Sequence, residues 1–257
     1  MNPTNTYFFG AMNLMPTSNI VKKLSIAAGA AFIALGTGGG AQAIELINNG
    51  GFEAGNFTNW SVTNNGSGGC DTDWMVNSTG QTGCLRLSPA TEGANAAYNS
   101  FDGNGPQEFR LEQTFFVPNN IASAALSWFD QAVWNLTFGA RLDREFRVDI
   151  LASSGTVNVF SQIFEAGTSA QYDWTARLAD VTSILQANEG QTLTLAFSNI
   201  IPQAFTGPAG FGLDQVSLDV ITSEPESVPE PASVLGLLAV GALGAGSARK
   251  RKQSQKA

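Results

Sequence analysis

No histidine occurs anywhere in the 257 residues. That absence removes the commonest general base, any Ser-His-Asp or Cys-His arrangement, and His-ligated zinc or iron. Catalysis here would rest on carboxylates alone. Cysteine is nearly as scarce: Cys70 and Cys84 are the only two. Lysine is confined to Lys22, Lys23, Lys250, Lys252 and Lys256, near the two ends. Between Glu45 and Glu230 all 21 acidic residues face only six basic ones, all arginine, so this portion carries a net charge of −15. Nucleic acid and anionic lipid or polysaccharide repel such a chain unless a divalent cation bridges them. A long hydrophobic run is missing too. The apolar stretch Val234 to Ala248 spans 15 residues, short of the roughly 20 that cross a bilayer without strain.

What is present at the two ends concerns export. Lys22-Lys23 precedes the apolar segment Leu24 to Leu35, and Ala41-Gln42-Ala43 supplies the small-x-small pattern read by signal peptidase. Residues 1–43 therefore read as a signal peptide, with translation starting at Met1, Met12 or Met15, and cleavage after Ala43 starts the mature chain at Ile44. At the other end, Val228-Pro229-Glu230-Pro231 sits in a linker, residues 223–233, that cannot continue a strand or helix. Residues 234–248 then form a short Gly-rich apolar helix, and Arg249 to Lys252 open a basic tail, residues 249–257, held on the cytoplasmic side.

This order of Val-Pro-Glu-Pro, short transmembrane helix and Arg/Lys cluster resembles the PEP-CTERM sorting tag of Gram-negative and cyanobacterial surface proteins. The resemblance implies that a membrane protease, exosortase, acts at the tag. The membrane helix would then be a transient attachment, and the mature protein would reside in the cell envelope, on the surface, or in an extracellular or biofilm matrix.

Residues 44–222 are long enough for one domain with a substantial core. In an exported chain, Cys70 and Cys84 read as a disulfide, contributing roughly 3 kcal/mol by loop entropy; two unpaired thiols are the alternative. The pattern is β throughout. Phe109 to Val117 alternates with Phe109, Leu111, Phe115 and Val117 on one face. Ala124 to Phe129, Glu145 to Ala152, Val157 to Phe164, Gln191 to Ser198 and Gly210 to Ile221 repeat the two-residue period. Turn-rich stretches separate them. Only Asp180 to Gln186 reads as a helix, with Asp180 as N-cap. Many strands without βαβ alternation predict an all-β antiparallel sandwich.

Asn49-Gly50-Gly51-Phe52-Glu53 followed by Trp60, and the closing Gly212-Leu213-Asp214-Gln215-Val216-Ser217-Leu218, resemble the two ends of galactose-binding-like jelly-roll domains, the fold of many carbohydrate-binding modules. The resemblance implies a jelly-roll sandwich and a structural calcium held by Glu53 and Asp214. Oxygen donors of this kind are what calcium takes. Sugar-binding modules present aromatic faces beside hydrogen-bonding side chains. Trp60, Trp128 and Trp174 lie in or beside strand-like runs and read as core. Trp74, in the polar stretch Cys70 to Trp74, and Trp134, in the connection before Arg141 to Arg144, are the candidate ligand contacts. Arg141, Arg144 and Arg147 interleave with Asp143, Glu145 and Asp149, which predicts ion pairing on a sheet surface. The sequence reads as a non-enzymatic surface protein that binds carbohydrate or another envelope polymer. A carboxylate-dependent polysaccharide hydrolase and a purely structural envelope protein are the alternatives.

Overall fold

A computed structural model describes residues 42–63, 72–83, 85–103, 105–139 and 141–223. Cys70, Cys84, Ala41 and all of the Val228–Ala257 sorting region lie outside the described residues. The chain runs through β1 (Gln42–Glu45), β2 (Ser61–Thr63), β3 (Thr72–Asn77), β4 (Ala96–Phe101), β5 (Gln107–Phe116) and β6 (Ile121–Asn135). It continues through β7 (Arg144–Ala152), β8 (Gly155–Phe164), β9 (Ser169–Asp180), the one-turn helix α1 (Thr182–Gln186), β10 (Thr192–Ile201) and β11 (Ala209–Thr222). All pairings are antiparallel. One sheet has the order β3-β4-β11-β6-β9, with β1 beside the last residues of β11, and the other has the order β2-β5-β10-β7-β8. The two face each other as a sandwich.

The two-residue period places the core. On β5, Phe109, Leu111 and Phe115 point inward, and Ala124, Leu126 and Trp128 do so on β6. Phe146, Val148 and Ile150 continue the layer from β7. Aromatic rings line the interface: Phe146 stacks across to Phe211 of the other sheet at 6.1 Å and beside Phe197 of its own sheet at 6.3 Å between centroids. Such pairs contribute about 0.5–1.5 kcal/mol each beyond the area they bury.

Five strands escape the periodicity argument, namely β1 to β4 and β9. A bulge explains the last: the register with β6 shifts between Asp130 and Ala132, so Tyr172 falls on the inner face with Arg177 instead of on the outer face with Trp174, Ala176 and Leu178. The expected polar loop at Trp74 is instead strand β3, and Trp74 is only 4% exposed in the core. Trp134 likewise belongs to β6 rather than to a connection. The helix starts at Thr182, with Val181 at the N-cap. Asp180 still helps, because its carboxylate accepts the Thr182 N–H at 2.9 Å.

Strand parity also splits the arginine series. Arg147 lies on the outer face, paired to Asp149 at 2.6 Å. Arg144 sits on the inner face with Phe146 and is buried; its guanidinium donates to the carbonyls of Phe101 and Gly207 and to the Thr206 hydroxyl. The expected surface position therefore holds for Arg147 and fails for Arg144, which is buried.

Candidate functional site

Residues 80–83 and 85–95 cross the outer face of the six-stranded sheet as a strap. Its first part is a tight hairpin. The Leu87 N–H reaches the Gly80 carbonyl at 2.9 Å, and the Thr82 N–H reaches the Leu85 carbonyl at 2.9 Å. Gly80 is at φ +70°, and a Cβ there would lie 2.3 Å from the Leu87 carbonyl oxygen. No other residue fits.

Side chains from the sheet then hold the strap backbone down. Gln131 of β6 accepts from Ser88 N–H at 3.0 Å and donates to the Ser88 carbonyl at 2.8 Å, acting as a one-residue strand partner. Tyr98 of β4 donates to the same carbonyl, and Trp174 of β9 donates its indole N–H to Pro89 at 2.7 Å. Burial, with the Asp214 charge adding, pushes the Tyr98 phenol well above its ordinary range, so it remains a neutral donor. Leu87, Ala96 and Tyr98 form a small apolar cluster beneath, with Val133 and Trp174 packed against it.

Between the strap and β9 lies a cleft of about 410 Å³. Arg86, Ser88 and Pro89 form one wall, Gln131 and Val133 the floor, and Gln171, Tyr172 and Asp173 the other wall. Arg86, Gln171 and Asp173 are exposed and offer donors and acceptors on both sides of a partly apolar floor.

The two end motifs meet on the flank of β11. That strand pairs with β4 through Leu213 and with β1 from Asp219 onward, leaving a gap on that side. Here Gln215 takes φ +50° and the ladder with β6 shifts register between Asp214 and Ser217. The Asn49–Glu53 turn packs into the gap. Val216 N–H reaches the Gly50 carbonyl at 3.0 Å, and a Cβ on Gly50 would lie 1.8 Å from the Val216 carbonyl oxygen. Phe52 anchors the turn in the core against Trp60, whose indole N–H reaches the Asn49 carbonyl.

This geometry brings Glu53 and Asp214 to the end of the strap. Glu53 accepts the N–H groups of Ala94 and Asn95 at 3.0 and 2.9 Å. Asp214, fully buried, accepts the N–H and hydroxyl of Thr91 at 3.0 and 2.9 Å. Among the described residues neither carboxylate is ion-paired, and no cluster of three or more Cys, Asp or Glu forms. Burial pushes the Asp214 carboxyl up to about 6, with the Glu53 charge adding to the rise and hydrogen bonds from Thr91 and Gln215 opposing it. Two neighbouring carboxylates without a counter-charge, one buried and one open to water, fit a hard divalent cation completed by carbonyls and water.

Of the two tryptophans expected to meet a ligand, Trp74 has no open face. Trp134 is half-buried, its indole N–H held by the Thr168 hydroxyl at 3.0 Å and its ring 4.9 Å from Phe164. Neither lines the cleft. The residues that do line it carried no readable motif, because Arg86, Gln131 and Gln171 lie far apart in sequence and only the strap unites them.

Comparison with known proteins adds the address. Residues 227–252 match the PEP-CTERM protein-sorting motif. The motif marks an exported bacterial protein of the cell envelope or surface. No curated protein sequence matches the chain. Among solved structures, the carbohydrate-binding module TmCBM61, in complex with β-1,4-galactotriose, is 16% identical, covering 70% of this chain and 99% of that one with a TM-score of 0.43. The module CBM27-1 of Caldicellulosiruptor saccharolyticus, in complex with mannohexaose, is 12% identical, covering 69% and 97% with a TM-score of 0.41. The Stig cyclase Fisc from Fischerella sp. TAU is 20% identical, covering 71% and 100% with a TM-score of 0.48.

Proposed function

We propose that residues 44–222 form a non-catalytic polysaccharide-binding module of the envelope or extracellular matrix of a Gram-negative-type bacterium. Signal peptidase would cleave after Ala43, and exosortase would act at Val228-Pro229-Glu230-Pro231 after transient attachment by the C-terminal helix. Gln42 and Ala43 form the first half of β1, so signal cleavage leaves Ile44 and Glu45 to pair with Val220 and Asp219. The observation that carries the binding reading is the strapped cleft. Its walls offer a guanidinium, an amide and a carboxylate to sugar hydroxyls, over apolar surface from Val133 and Pro89.

The same cleft favours binding over hydrolysis. Glycoside hydrolysis uses two carboxyl groups across the scissile bond, and Asp173 is the single carboxylate among the lining residues. A structural calcium between Glu53 and Asp214 would lock the strap end rather than touch a ligand. Retention of the exported chain on immobilised exopolysaccharides, compared with an Arg86→Ala, Asp173→Ala double variant, tests the reading. Equal retention of both forms would refute it.

A further inference from the structure

Sheet edges expose unpaired N–H and C=O groups, and proteins guard them with short strands, charges, proline or bulges. Among the described residues five strands have a free side, and four are guarded. β1 and β2 are four and three residues long. β3 carries Asp73 and a broken register with β4. β9 carries Asp173, Arg177 and Asp180. β8 is different: ten residues, Gly155-Thr-Val-Asn-Val-Phe-Ser-Gln-Ile-Phe164, with no charge and no proline. Its one irregularity is the register shift with β7 between Val148 and Asp149. Beyond it, Phe160 to Phe164 run in unbroken register with Val148 to Arg144.

The strand is also held in place. Phe160 points inward, 5.5 Å from the Trp128 ring and 4.8 Å under the Arg177 guanidinium. Ile163 faces out, 46% exposed, and Val157, opposite the core residue Ile150, sits at the open rim of the inner face, 41% exposed. We propose that β8 is a docking edge for β8 of a second copy of this chain, antiparallel about a two-fold axis, joining two five-stranded sheets into one. The charge pattern selects this occupant. Each exported chain carries −15, so two copies repel wherever carboxylates would face each other. β8 is the long edge along which its own residues bring no like charges together. An antiparallel pair satisfies both sets of main-chain groups at once and closes on itself. The cleft lies on the other sheet and stays open in both copies.

Sedimentation of the full-length chain in detergent, over a range of concentrations, tests this. The expected result is a monomer–dimer equilibrium that tightens as salt screens the net charge. Val157→Lys and Ile163→Lys should each raise the dissociation constant at least about tenfold. Each substitution reduces the net negative charge, so weaker pairing cannot come from added repulsion. Leu178→Lys on β9 should leave the constant unchanged. Ser161→Cys, at an exposed position near the middle of β8, should give a disulfide-linked dimer on a non-reducing gel even if a lysine variant folds poorly. A monomer at every concentration, absence of the Ser161→Cys cross-link, or dimerisation weakened by Leu178→Lys instead would overturn the proposal.

Discussion

Arg177 and Asp130 close the open side of the sandwich. The guanidinium meets the carboxylate at two points, Nε to Oδ2 at 2.9 Å and Nη2 to Oδ1 at 3.0 Å, while Asp130 also accepts the Trp128 indole N–H at 2.8 Å. The opposite side of the same guanidinium contact reaches across to Phe160 of the other sheet. One arginine thus satisfies a buried acid and ties β9 and β6 to β8.

Arg177→Ala should therefore cost about 3 kcal/mol, because it leaves Asp130 buried and without its counter-charge. For a domain of this size that is a fall in Tm of roughly 10 °C, readable by calorimetry. Arg177→Lys should fall in between, since an ammonium cannot reproduce the two-point geometry. An unchanged Tm in the alanine variant would contradict this account.

The Glu53–Asp214 pair makes a metal-dependent expectation. Calcium at about one hundred times its dissociation constant should stabilise the domain by about 2.7 kcal/mol, and chelator should remove the gain. Glu53→Gln keeps an acceptor oxygen for Ala94 and Asn95 but loses the charge, so its Tm should no longer respond to calcium. A wild-type melting temperature indifferent to both calcium and chelator would remove the metal from the account.

Binding should follow the cleft and not the tryptophans read from sequence. Arg86→Ala and Asp173→Ala should each weaken polysaccharide affinity several-fold, for about 1 kcal/mol per lost hydrogen bond. Trp74→Phe should leave affinity unchanged while lowering stability, because the side chain is core. Affinity electrophoresis separates these outcomes, and loss of binding in Trp74→Phe with Arg86→Ala intact would reverse the assignment.

Gly50→Ala should be among the most damaging single-methyl changes in the chain. Its Cβ would sit 1.8 Å from the Val216 carbonyl oxygen, so the turn must leave the β11 bulge, and Glu53 leaves with it. We expect a loss of about 3 kcal/mol or more, together with weaker calcium response. Chemical denaturation with and without calcium measures both.

Local pattern was enough for the β class, for the faces of β5, the first half of β6, and β7, and for the address of the protein. Alternation needs only local geometry, because side chains on a pleated strand must point to opposite sides. A sorting motif is likewise a linear signal. The end motifs were legible only through their resemblance to a family, and the structure supplies the reason for them: Gly50 lies too close to another backbone for a side chain, and Phe52 and Trp60 anchor the turn. Tertiary structure alone decided where alternation breaks. Gln113 faces the core, yet it is satisfied, its amide matching the N–H and carbonyl of Asn48 at 2.8 and 2.9 Å. Gln131 does the same for Ser88. A buried glutamine is costly or neutral according to whether a distant backbone segment arrives to meet it, and no local pattern announces that arrival. The strap, the cleft beneath it and the inward turn of Trp74 all depend on such long-range meetings.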